Sequence, residues 1–400
     1  MRNPFPNIRN FRNAKLPPLN WALVLFMFLL LAVGYAFIQS ATSMRVGKVR
    51  FLHLTLLKQW IPLGLVAYFI AAKINYRKWN DWSWVIYALT ILSLILVLIP
   101  GIGKAQLGAR RWLFGAFQPS EFAKVATIPM IAFLLGGSNI ADGKKKFCAA
   151  VAIAALPAAL IMAEPDLGSA LALVPTVFVM LFVSGCAPRL LMWSTLIAVI
   201  ASALFVGAVL IPLKLPPERR EKVERVTDKI IFPHWKTRII TFAGAESDPL
   251  GAGWNKEQSI IAVGSGGRHG KGYGKGTQNI LGFLPRAVSS TDFIFSVIAE
   301  EMGFRGSAIL LLLYAGLLGS IATTAMQCRD EQGRLICAGV LALLFTHIFI
   351  NIAMTIGLMP ITGIPLPLVS YGGTFTIAIM CLLGLVQGVA IHGKAPVTDN

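Results

Sequence analysis

Asp292 ends the stretch Ser290-Thr291-Asp292, directly before an apolar run resumes at Phe293-Ile294-Phe295, and Glu300 and Glu301 follow close behind. A carboxylate at such a re-entry is costly unless something uses it. If a helix starts at Phe293, Asp292 can serve as a plain cap, held by the dipole and the free N–H groups. It can equally serve as a general base, with burial raising its proton affinity toward neutral pH. Three acids so close to a membrane boundary exceed what capping requires, which favours the second use.

Other stretches carry comparable signals. In Gln118-Pro119-Ser120-Glu121-Phe122-Ala123-Lys124, Glu121 and Lys124 lie three apart, so on a helix they can pair and make two charges tolerable at membrane depth. Such a pair either fixes helix orientation or shapes a site near Asp292. Arg110 and Arg111 precede Trp112; a guanidinium fork suits phosphate or pyrophosphate, and a snorkelling headgroup anchor is the alternative. The turn Glu164-Pro165-Asp166-Leu167-Gly168-Ser169 holds two acids and no base, with Asp166 as a cap, a second site carboxylate, or half of a divalent-cation site with Asp292. The run 264–277 is glycine-rich and contains Lys271 and Lys275, yet no GxxxxGK[ST] register fits, so no nucleotide cofactor is expected. Its amides and lysines either cradle a phosphate or form a flexible loop. His347 and Asn351, four apart, read as hydrogen-bonding partners between helices.

The elements that position these residues follow from composition. The chain is 56% hydrophobic and 14% charged with a mean hydropathy of +0.69, too little polar surface to coat a soluble globule. The expected fold is an all-α polytopic membrane protein, one integral domain over 1–400. Ten transmembrane helices are predicted, near 20–40, 54–74, 82–101, 119–138, 147–163, 168–185, 190–213, 304–326, 335–356 and 371–391. Residues 1–19 form a basic tail and not a cleavable leader, and 393–400 form a second short tail. With the first tail inside, inner segments hold more than twice the Lys and Arg of the short outer loops. Both termini are therefore predicted cytoplasmic, and the long loop 214–292, between helices 7 and 8, extracytoplasmic.

The net charge of +18 is spread over every polar segment, so it reads as topology and not as a nucleic-acid surface. The five cysteines lie in or near spans, outside the long loop, and give no disulfide framework. Inner loops are short and basic. The outer ones, 108–118, 163–168, 214–292 and 357–373, carry the acids, amides, hydroxyls and glycines, so function is expected outside. Within the long loop, 218–231 reads as a charged helix that Pro233 ends, and 248–276 as folded-over irregular chain. Prolines keep 363–374 from forming ordinary helix.

These outer segments together resemble the SEDS family (shape, elongation, division and sporulation; RodA/FtsW-like), and its RodA-like elongation branch in particular. The matching stretches are 108–112 with 118–124, 164–170, 248–249 with 253–267, 291–303 and 357–374. The resemblance implies a peptidoglycan glycosyltransferase of the bacterial cytoplasmic membrane that polymerises lipid II at the outer face and releases undecaprenyl pyrophosphate. It implies Asp292 as the essential loop acid, Glu121 and Lys124 as a functional pair, Arg111 as the outer arginine and Asp166 as the short-loop acid. Substrate binding is then expected at Arg110, Arg111, Gln258, Ser259, Ser265, Lys271, Lys275 and Ser370, and a class B penicillin-binding protein as crosslinking partner. A divalent cation, Mg or Mn, is a candidate at Asp292 and Asp166.

One departure stands out. Family members usually read Leu-Pro-Glu-x-His-Thr-Asp before the key acid, whereas this chain has Leu284-Pro285-Arg286-Ala287-Val288-Ser289-Ser290-Thr291-Asp292, two residues longer and without that Glu and His. Two rivals remain at this stage: a flippase or transporter of the same lipid-linked precursor, and a scaffold for the transpeptidase. A transporter places titratable groups near the bilayer midplane, while the acids here gather toward the outer ends of spans.

Overall fold

A computed structural model describes residues 19–43, 47–106, 109–115, 117–137, 142–216, 227, 233–244, 252–284 and 288–393. The expected charged helix 218–231, the Asp248-Pro249 match, most of both tails and Pro285-Arg286-Ala287 lie outside the described residues, apart from residue 227. The chain is helical, with one small hairpin.

In order, the long helices are α1 (Trp21–Thr42), α2 (Val49–Lys73), α3 (Trp79–Leu98), α4 (Pro119–Gly137), α5 (Gly143–Ala163), α6 (Leu167–Val183) and α7 (Pro188–Leu210). The long loop then contributes α8 (Pro233–Ala243) and α9 (Ala252–Ser265), and α10 (Ile294–Gln327), α11 (Glu331–Thr355) and α12 (Gly373–His392) complete the bundle. Seven of these, α1, α2, α5, α7, α10, α11 and α12, are long and apolar enough to cross a membrane; α3 and α6 carry shorter apolar stretches, and α4 bears Glu121 and Lys124. Strands β1 (Gly103–Gln106) and β2 (Ala109–Leu113) pair antiparallel between α3 and α4.

The core lies around α11 and α12, whose most apolar windows are 78% and 83% buried inside the protein, whereas α7 is 6% buried and stands at the periphery. α12 packs along α2, and glycine makes this possible: a Cβ on Gly384 would sit 2.4 Å from the Tyr68 carbonyl oxygen. One end of the bundle is tied by Arg77–Asp330 (3.0 Å) and Lys146–Glu331 (3.6 Å). The opposite end gathers the hairpin, the 164–166 turn, the long loop and the 357–372 segment.

Two local readings change. Pro233 opens a helix where it was expected to end one, since proline at the first helical position gives up only an N–H that has no partner there. Residues 252–265 are helical where irregular chain was expected, because Gly253 and Gly264 sit at the helix ends and leave its interior free of glycine.

Candidate active site

The helix that follows Asp292 begins with Phe293 as its N-cap, without a side-chain cap bond. Asp292 is therefore one residue outside the cap position, and the simple capping use does not apply. Its backbone is fixed from the other side. Tyr371 N–H donates to the Ser290 carbonyl (2.8 Å), Ser370 Oγ to the Thr291 carbonyl (2.5 Å) and Asn351 Nδ2 to the Asp292 carbonyl (2.9 Å). Asn351 Nδ2 also donates to the Ile364 carbonyl (2.7 Å), tying α11 to the non-helical 357–372 segment. Gly363, at φ +75°, runs beneath the carboxylate, and a Cβ there would lie 3.4 Å from Asp292 Oδ2.

Three consecutive carbonyls are thus held while the carboxylate stays uncommitted to helix structure. Burial pushes the Asp292 carboxyl up to about 6; the Thr291 hydroxyl, Arg238 and Arg111 oppose the rise, and Asp166 adds to it.

The neighbouring acid is built by the turn between α5 and α6. Asp166 caps α6 through Ser169 N–H (3.3 Å), while its other oxygen accepts from Gln118 Nε2 (3.4 Å) and Ser120 Oγ (3.5 Å). It is at once a cap and a site carboxylate. Arg111 reaches from β2 to grip this turn: Nε donates to the Glu164 carbonyl (3.2 Å), Nη2 to the Pro165 carbonyl, and Nη1 lies 3.9 Å from Asp166 Oδ1. Behind Asp166, Lys124 Nζ meets Glu121 Oε2 at 2.8 Å and His347 Nε2 at 3.4 Å, and the His347 ring stacks on Phe375 at 5.4 Å. Both charges of the Glu121–Lys124 pair are enclosed by protein, the condition under which an ion pair fixes geometry most strictly.

Several expected substrate contacts lie elsewhere or are already engaged. Lys271 Nζ is bonded to Glu300 Oε1 (2.7 Å) and Thr277 Oγ1 (2.6 Å), eight residues along the chain from Asp292, or about 12 Å at helical rise. The glycine run is not a loose loop. Lys271 and Gly272 N–H donate to the Glu300 and Glu301 carbonyls (3.0 and 2.9 Å), and Phe304 N–H donates to the Gly267 carbonyl (2.8 Å). The run is therefore docked on the break in α10 at Gly303 (φ +64°), where a Cβ would meet Gly270 N at 2.4 Å.

Glu300 and Glu301, grouped by sequence with Asp292, serve this brace, the latter with Ser40 Oγ (2.5 Å) and Gly274 N–H (3.0 Å). Ser259 is buried between Ser296 Oγ and the Thr355 carbonyl (2.7 Å each), and Ser370 accepts from Leu366 N–H besides clamping Thr291. Gln258 is buried on α9. Arg110, Ser265 and Lys275 are exposed, the serine bonded to the Ala262 carbonyl. Lys271, Ser259 and Ser370 share one feature: each already has an internal hydrogen-bond partner.

Sequence reasoning missed Arg238 and passed over Glu164. Arg238, on α8, donates to the Thr362 carbonyl (3.1 Å) and lies within electrostatic range of Asp292, Asp166 and Arg111. The signal was present in Trp235, Ile239 and Ile240, whose helical spacing sets the face that packs inward. Glu164 is fully buried and neither carboxyl oxygen has a hydrogen-bond partner among the described residues. Burial, then Asp166, push it up to about 9 against the pull of Arg111, so it is neutral at pH 7.

Among the described residues no three His, Cys, Asp or Glu side chains form a metal-ligating group, and the two guanidiniums of Arg111 and Arg238 already face Asp166 and Asp292.

Residues 20–395 match the family FTSW_RODA_SPOVE, described as "Cell cycle protein". The chain belongs to this family. It is 36% identical over 337 residues to peptidoglycan glycosyltransferase MrdB of Escherichia coli (84% of each chain), and 32% identical over 382 residues to stage V sporulation protein E of Bacillus subtilis (93% of this chain, 97% of the other). Among solved structures, a chain from a peptidoglycan synthase complex that coordinates polymerization and crosslinking superposes with a TM-score of 0.73 at 28% identity, covering 93% of this chain and 97% of its own. The rod shape determining protein RodA of Thermus thermophilus gives 0.66 at 28% identity, covering 94% and 98%. In this SEDS protein, then, the observed all-helical membrane bundle is also the fold of its relatives.

Proposed function

We infer that this SEDS protein is a peptidoglycan glycosyltransferase that polymerises lipid II at the outer face of the cytoplasmic membrane, with Asp292 as general base. The observation that carries the assignment of the base is the uncapped Asp292 carboxylate, backed by three clamped carbonyls and held near neutral proton affinity beside Asp166 and Arg238. A sugar hydroxyl attacks the anomeric carbon of a pyrophosphate-linked glycan; the new O–C bond forms as the C–O bond to pyrophosphate breaks, and the hydroxyl proton passes to Asp292. The electron pair of the broken bond leaves on the pyrophosphate. Arg111, spent on backbone carbonyls, positions the 164–166 turn that carries Asp166.

The same reading places ten helices across the bilayer in one integral domain, both tails in the cytoplasm and the 214–292 loop outside. Service in elongation is proposed on the 36% identity to MrdB, with a class B penicillin-binding protein crosslinking the nascent strands. A divalent cation, Mg or Mn, at Asp292 and Asp166 or on the pyrophosphate stays part of this reading, and the chelator arm below tests it.

Purified protein supplied with lipid II in detergent is the test. Wild type forms polymer and Asp292→Asn does not; chelator leaves the protein folded and reports any cation at the site or on the substrate. Polymer in detergent, where transport has no meaning, distinguishes the enzyme from a flippase. Persistence of polymerisation in Asp292→Asn removes the base assignment.

A further inference from the structure

Arg238 lies within electrostatic range of Asp292 and Asp166, and it also lines a cleft with Thr241, Phe242, Lys256, Pro360 and Ile361. Among the described residues its lining holds two cations, Arg238 and Lys256, and no carboxylate. Lys256 Nζ also lines it, donating to the Phe242 carbonyl (2.9 Å) and lying 4.7 Å from the centre of that ring. The cleft is narrow, with about 210 Å³ of free space, so an incoming anion sits at the mouth, against the guanidinium.

Among the described residues the Arg238 side chain makes one hydrogen bond, to the Thr362 carbonyl, which leaves a planar fork of donors for a second partner. Of the other cations the sequence offers for this task, Arg111 gives two of its donors to the 164–166 turn, and Arg110 and Lys275 are exposed. Lys271 is committed to Glu300.

We propose that the mouth of this cleft is the subsite for the departing pyrophosphate, with Arg238 as the cation that meets it. The proposal rests on the glycosyltransferase reading above and adds a coupling to it. When Asp292 takes the hydroxyl proton, Arg238 loses the charge of one anionic neighbour while the pyrophosphate gains negative charge. The cation therefore stays balanced along the reaction, and its stabilisation passes from the base to the leaving group as that charge develops.

Inorganic pyrophosphate is the probe, titrated by calorimetry into the purified full-length protein. Wild type and Asp292→Asn both bind it. Arg238→Gln weakens binding about ten- to a hundredfold, the loss of a charge-assisted bond, and Arg238→Lys, which keeps the charge but not the fork, falls between. Unchanged pyrophosphate affinity in Arg238→Gln, or no binding by wild type, overturns the subsite. Polymerisation of lipid II by the same preparations is read separately: a wild type that binds pyrophosphate yet makes no polymer sinks the enzyme reading and leaves the anion site standing. The lysine variant decides the matter if the glutamine variant has a lowered melting temperature.

Discussion

Replacing Glu164 by glutamine removes one titratable proton while keeping shape and, at neutral pH, charge. The folded protein holds the Glu164 proton up to about 9, whereas an unburied glutamate loses it at its ordinary value of 4.5. Between these limits the folded state binds a proton that the unfolded state does not. Stability therefore falls as pH rises through the window, by about 1.36 kcal/mol per pH unit. From pH 5 to pH 8 the ceiling is about 4 kcal/mol, and water entry and relaxation around a buried acid reduce this to about 2 kcal/mol.

Glu164→Gln lacks this slope. Its advantage over wild type should be near zero at pH 5 and grow to a few degrees of melting temperature by pH 8, given the small temperature shift per kcal/mol in a chain of this size. Thermal unfolding of both proteins in one detergent across this range is the assay. Parallel curves refute the reasoning, for they mean that Glu164 is ionised in the folded state or finds a partner. Asp166→Asn is the control: burial is the larger cause of the shift and Asp166 the smaller, so that variant keeps most of the slope.

Other expectations follow from the same contacts. Because the Asp292 carboxyl is pushed up to about 6, kcat/KM for lipid II should rise tenfold per pH unit below about 6 and level off above it; a flat profile from pH 5 to 8 argues against Asp292 as base. Asn351→Leu releases the Asp292 and Ile364 carbonyls, and should lower kcat far more than it alters KM while costing about 1–3 kcal/mol of stability; equal loss in both kinetic constants points to unfolding instead of misplacement. Lys124→Met strands Glu121 inside the bundle and should destabilise by about 3–5 kcal/mol, whereas Glu121→Gln with Lys124→Met should recover much of it. Melting curves of the single and double variants decide. Gly303→Ala, at φ +64° against Gly270, should undock the glycine run and expose it to protease, while the alanine variant of exposed Gly319 should not.

The long helices were legible because apolar windows of spanning length have few other uses, and the site end of the bundle because acids and glycines are scarce elsewhere. The start of α10 was read ten residues late: 294–303 contains Glu300 and Glu301, so a hydropathy window passes over it although the chain is helical there. Glu121 and Lys124 were legible because spacing of three on a helix dictates a pair. Arg238, Asn351 and Ser370 were not assigned their places, because their partners are main-chain carbonyls of residues 124, 59 and 79 positions away, and a backbone carbonyl leaves no trace in side-chain pattern. Lys271 misled for the converse reason: its partner Glu300 was visible, but only the Gly303 break brings the glycine run against it.

Asp166 shows why so many charges gather at one end of an apolar bundle. It lies within electrostatic range of Asp292, Glu164 and Glu121, and each of these has its own relation to a cation: Arg238 and Arg111 for Asp292, Arg111 alone for Glu164, and Lys124 for Glu121. Among the described residues, four carboxyls thus share three cations, and that set reaches neutrality when one proton remains on it. Glu164, unpaired and sealed from water, is where that proton rests. With the resting proton stored there, Asp292 is free to ionise near neutral pH and to take a second one from substrate. Asp166→Asn removes one anion from the middle of the cluster and should lower the kinetic pKa of Asp292, moving the acid limb of the kcat/KM profile to lower pH; a limb that stays in place or moves upward shows that the carboxyls titrate independently.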